Sequence, residues 1–188
     1  MAKKHDLADR RKALEESFFT KENERLLSNL REKRENEKER EALEGVLSIQ
    51  DPAILDELIG VGIRAETWLA LSLIPLVEVA WANGNVDDAE REAIVKAAGE
   101  VGIGPFSPAN DLLEKWLSRK PLPSVRAAWI DYVGAAKSVL GGAASDALRE
   151  ETLEQARAVA AAAGGFIGII PPISTKEEEV LKELAAAF

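Results

Sequence analysis

The chain has no cysteine, one histidine and one tyrosine in 188 residues. Without cysteine there can be no disulfide, thiolate metal site or cysteine nucleophile, and a reducing compartment is the natural home. The single histidine, His5, lies in a charged N-terminal segment, which leaves no place for a Ser–His pair or a His–metal centre. No phosphate-binding loop is present: "GVGI" and "GGAAS" lack the following Lys-Ser/Thr and the preceding strand. One catalytic option remains, a carboxylate pair such as Glu78 with Glu90, and it rests only on their nearness to one turn. A long apolar run is also missing. "WLALSLIPLVEVAWA" is too short to span a bilayer and contains Glu78. The start, "MAKKHDLADRRKALEE", has no apolar stretch behind its basic head, unlike a secretory signal. Proline and glycine are too sparse for a disordered or fibrous chain. These absences predict a soluble, cytoplasmic protein that is not an enzyme and has no resident cofactor.

Ala, Leu, Glu, Lys and Arg dominate, a composition that favours helix. Hydrophobic residues make up 46%, enough to bury a core. The net charge of −9 is unevenly spread: residues 1–45 carry 12 basic and 12 acidic side chains, and residues 46–188 carry 12 and 21. An acidic body repels phosphate, so neither nucleic acid nor an anionic membrane is an expected partner.

Residues 6–44 contain no Pro or Gly and read as one long helix. Apolar residues occur at Leu7, Leu14, Phe18, Phe19, Leu26, Leu27 and Leu30, and "REKRENEKERE" then carries none. Such a segment is held by i,i+4 ion pairs or frays. Residues 1–45 thus form a charged helical arm, either solvated or paired with itself or a protein partner.

The remainder, 46–188, reads as an all-α domain, a compact bundle of about seven helices. Asp51 and Pro52 open a short helix that Gly60 ends. A nearly all-apolar helix is expected over 65–82, kinked by Pro75. Asp87 with Glu90 forms a capping box at the next helix. Ser107-Pro108 starts a helix burying Leu112, Leu113, Trp116 and Leu117. The stripe Val125, Trp129, Tyr132/Val133, Ala136 and Val139/Leu140 marks another, which Gly141-Gly142 ends. Ser145 is expected to cap a helix carrying Leu148, Thr152, Ala156, Val159/Ala160 and Ala163. "GFIGII" is the best strand candidate but has nothing to pair with, so a packed loop is preferred. Ser174 with Glu177 forms a second capping box before a last helix that buries Val180/Leu181, Leu184 and Phe188.

The two capping boxes echo each other. "VDDAEREAI" (86–94) and "ISTKEEEVL" (173–181) align without a gap, and each follows an Ala-rich helix ending in Gly. The pattern predicts two related helix–turn–helix halves facing each other across one core. Residues Ala82-Asn83-Gly84-Asn85-Val86-Asp87-Asp88-Ala89-Glu90 resemble the Ala-Asp-Gly-x-hydrophobic-x-x-x-Glu pattern of TerB-like proteins, a family named for a tellurite-resistance protein. One defined position differs, with Asn83 where the pattern has Asp. The second copy keeps Gly164 or Gly165, Ile173 and Glu177, without an acidic residue before the glycine. The resemblance covers 65–188 at most. It implies a compact, non-catalytic helical module associated in bacteria with ion or stress responses, often within larger assemblies.

The loop "NGNVDDAE" offers oxygen ligands from Asn83, Asn85, Asp87, Asp88 and Glu90, which makes a weak Ca²⁺ or Mg²⁺ site the candidate metal centre. With Gly84 as position six of a calcium loop, positions one and three are Val79 and Trp81, which supply no side-chain oxygen. Asp87 and Glu90 are also the two members of the capping box. Three readings of this loop stand side by side: a well-capped turn, a divalent-cation site completed by the second half, and a docking loop for a protein. Four tryptophans at helical spacing, Trp68, Trp81, Trp116 and Trp129, read as core.

Overall fold

The computed structural model describes residues 2–47, 49–163 and 173–188, with side chains over 18–47, 49–162 and 173–188. Among the described residues there are eight α-helices and no strand. They are α1 (Ala2–Leu47), α2 (Pro52–Gly60), α3 (Ile74–Ala80), α4 (Asp88–Glu100), α5 (Pro108–Ser118), α6 (Pro123–Leu140), α7 (Gly142–Ala163) and α8 (Thr175–Ala186). The protein is an all-α bundle. Its chain divides into two compact units, 1–39 and 40–188.

The first unit is helix alone. Phe18, Phe19, Leu26, Leu27 and Leu30 are all exposed on it, and the two Phe rings meet edge to face with centroids 6.1 Å apart. Arg25 and Glu22, three residues apart, pair at 2.8 Å; this pair lies before the polar run 31–41 in which i,i+4 pairs are expected.

The second unit begins inside α1. Leu43 is fully buried and belongs to the main core cluster, and Arg40 grips Asp56 of α2 through both its Nε and Nη2. The helix-start signals of α2, α4, α5 and α8 all act as expected. Asp51 accepts from the Ala53 N–H, Ser107 accepts from the Asn110 N–H, and Asp87 and Ser174 each open a complete capping box. These motifs need only residues two or three apart, so they survive whatever the rest of the chain does.

Three expectations need correction. The segment 65–82 is not one kinked helix but a 3₁₀ helix (Trp68–Leu73), then α3, then a 3₁₀ turn (Trp81–Asn83). Pro75 falls at the start of α3, where its missing N–H leaves no bond unmade. Ser145 caps nothing. It is a buried residue inside α7, which begins at Gly142. Gly141 alone links α6 to α7, with φ at 76°, a backbone state that glycine adopts without steric cost. Finally, Val139 and Leu140 are exposed while Leu153 is buried: the one-residue link sets where α7 can face, and the inward stripe stops at Ala136. The candidate strand at 165–170 lies outside the described residues.

All seven residues of α3 are buried. This helix touches α4, α6, α7 and α8, so it is the axis around which the body is built. α4 packs on α7, and α8 packs on α7 and on the Trp81–Asn83 turn. The start of α8 is thus set against the turn that precedes the first echoing segment. Trp81 also donates its Nε1–H to the Trp116 carbonyl at the end of α5 (2.8 Å).

Candidate functional site

The turn between α3 and α4 and the start of α8 converge. Gly84 closes the first turn with φ at 95°, and its N–H bonds back to the Trp81 carbonyl. A left-handed residue here points Asn83 toward α8 and frees the chain to enter α4 at Asp87. The Asn83 amide then bridges the halves. It donates from Nδ2 to Glu177 Oε1 at 3.0 Å and accepts at Oδ1 from the Ser174 hydroxyl at 3.2 Å.

Each capping box is itself complete. Asp87 accepts from the Glu90 N–H, and Glu90 Oε2 accepts from the Asp87 N–H, both at 2.8 Å. Ser174 accepts from the Glu177 N–H at 3.3 Å, and Glu177 Oε2 accepts from the Ser174 N–H. Glu177 thus spends one oxygen on its own helix and the other on Asn83. Glu90 and Glu177 are each only 2% exposed, and neither forms an ion pair with a basic side chain among the described residues. Burial, helped by the charges of Asp87 and Glu177 and opposed by the hydrogen bond from the Asp87 N–H, raises the Glu90 carboxyl to about 7.

At position 83 an amide can donate to Glu177, whereas an ionised Asp would set two carboxylates against each other. Asn83→Asp is therefore expected to cost about 1–2 kcal/mol near pH 8, read as a lower urea midpoint at unchanged slope. An unchanged midpoint would remove the bridge from the account.

The five predicted site residues have unlike environments. Asn83, Asp87 and Glu90 are engaged in the junction. Asn85 and Asp88 are exposed, and their side chains make no hydrogen bond among the described residues. Among the described residues no group of three or more His, Cys, Asp or Glu is arranged to hold a metal. Sequence reasoning missed the partners in trans, Ser174 and Glu177, as members of the same site. The echo between residues 86–94 and 173–181 was the only signal that could have joined them.

Glu78 lies in a different cluster. It is buried on α3, with Arg126 of α6 3.9 Å away, and Arg126 in turn holds Glu183 of α8 at 2.8 Å. Burial raises the Glu78 carboxyl, while the charges of Arg126 and Lys120 lower it and that of Glu183 raises it. A buried, cation-facing carboxylate of this kind stitches three helices together.

No family model, curated protein or solved structure matches the chain. The resemblance to TerB-like proteins has no support beyond the sequence pattern itself.

Proposed function

We propose that the chain is a non-catalytic helical interaction module that associates through its N-terminal arm. The observation that carries this reading is the set of exposed apolar side chains on residues 18–30. Phe18 and Phe19 are 65% and 64% exposed. Phe19, Leu26 and Leu30 are spaced seven and four residues apart and so lie along one side of the helix. An apolar row with no covering element costs free energy in water, and a partner helix removes that cost. A second copy of the chain is the simplest partner, because the row is then matched by itself. The TerB-like pattern at 82–90 is compatible with a module of this kind in a stress-response assembly.

Light scattering at several concentrations tests the proposal. The full chain should be larger than a monomer, whereas Leu26→Ser/Leu30→Ser and a chain lacking residues 1–39 should be monomeric. Monomers throughout would defeat the reading.

One observation favours a second reading, a divalent-cation-responsive protein. Glu90 and Glu177 are both buried, the charge of Glu177 acts on Glu90, and neither forms an ion pair with a basic side chain among the described residues. Ca²⁺ or Mg²⁺ at the junction would remove that repulsion. Glu90 and Glu177 would be the inner ligands, with Asn85 and Asp88 supplying outer oxygens. Calorimetric titration should then release heat and protons in the natural chain and not in Glu90→Gln. No heat and no melting shift at millimolar ion would sink the idea.

A further inference from the structure

The corner between α5 and α6 contains a cavity of about 310 Å³, at the lower end of the range of small-ligand pockets. Its apolar wall includes Val61, Trp116 and Val125, with Trp116 and Val125 nearly buried. Lys115, Arg119 and Lys120 also line it, and all three are exposed. None of the three makes an ion pair among the described residues. The charge of Lys120 acts on buried Glu78.

This concentration of positive charge runs against the rest of the body. Residues 46–188 carry 21 acidic and 12 basic side chains, yet the stretch 115–130 has four basic residues and no acidic one. Lys115 and Arg119 stand one helical turn apart, where like charges repel. The C-terminal dipole of α5 offsets part of that repulsion. It does nothing for Lys120, which lies beyond the helix end. On the far side, α6 starts at Leu122-Pro123 with no side-chain cap; Pro123 has no N–H and the Val125 N–H bonds to the Leu122 carbonyl, so the helix start adds little to the positive charge.

From this combination we propose that the cavity binds a small amphiphilic monoanion, an aliphatic or aromatic carboxylate. Its apolar body lies against Val61, Trp116 and Val125, and its carboxylate lies among Lys115, Arg119 and Lys120. The charge distribution favours a small ligand over an acidic protein. A macromolecular partner covers hundreds of square ångströms and would reach beyond the local cations to a body in which acidic side chains outnumber basic ones. A small anion meets only the local cations.

The probe is anilinonaphthalenesulfonate, an aromatic monoanion, with phenylnaphthylamine as its uncharged counterpart and decanoate as competitor. At low salt the full chain should bind the sulfonate saturably, with quenching of tryptophan emission, and decanoate should displace it. Lys115→Gln/Arg119→Gln changes two exposed side chains and should weaken the sulfonate about tenfold. The same variant should leave phenylnaphthylamine unaffected. Leu26→Ser/Leu30→Ser should bind the sulfonate as the natural chain does, because the arm is not the site. Equal binding by the charge variant, loss of signal in the arm variant, or absence of saturable binding would each overturn the proposal. Displacement by polyglutamate but not by decanoate would assign the cleft to an acidic polypeptide and overturn it as well.

Discussion

Near pH 8, Glu90→Gln is expected to be more stable than the natural chain by about 1–3 kcal/mol, and near pH 4 the two should be equal. The Glu90 carboxyl titrates at about 7 in the folded chain, against 4.5 for a free side chain. Below 4.5 the group is protonated in both states and contributes nothing. Between 4.5 and 7 the unfolded chain loses its proton while the folded chain keeps it, so stability falls as pH rises. Above 7 the folded chain carries a buried charge, and the whole penalty is present. Glutamine avoids the charge, and its carbonyl oxygen can still accept from the Asp87 N–H, so the capping box survives. Urea denaturation across this pH range provides the check. A variant that is no more stable than the natural chain near pH 8 would show that the Asp87 N–H and the helix N-terminus together outweigh burial.

Leu43→Ala is expected to cost about 2–5 kcal/mol, the range for emptying a fully buried leucine site. Leu43 belongs to the long N-terminal helix but is completely inaccessible to solvent. Truncations place the same effect on the chain. Removing residues 1–39 should leave the urea midpoint nearly unchanged at low protein concentration, where self-association contributes little. Removing residues 1–45 also takes away Leu43 and the Arg40–Asp56 ion pair, and should cost at least as much as Leu43→Ala. Equal midpoints for the two truncations would mean that the end of α1 adds nothing to the core.

Much of the helical framework can be read locally. Asp51-Pro52, Ser107-Pro108, Asp87 with Glu90 and Ser174 with Glu177 each state a helix start within four residues, and each one forms. Ser145 shows the limit of such reasoning. A serine is a good cap only where a helix begins, and α7 had already begun at Gly142. The segment 65–82 shows another limit. Its apolar residues fit any buried helical form, so hydrophobicity could not reveal the alternation of 3₁₀ and α turns around Pro75. Val139 and Leu140 extend an apolar stripe in sequence, but a stripe is buried only where another element covers it.

The candidate site divides in the same way. Composition and short-range spacing alone determined that the protein is all helix, that its turns are capped at Asp87 and Ser174, and that a charged arm precedes the body. These features depend on propensity and on contacts three or four residues apart. The tertiary structure decided that Asn83 meets Glu177, 94 residues away, that Glu90 and Glu177 are buried in one junction, and that Lys115, Arg119 and Lys120 gather around an apolar cavity. Those pairings follow from how α3, α4, α5, α6 and α8 pack. A carboxylate's proton affinity and a lysine's lack of an ion-pair partner are set by neighbours that only packing supplies.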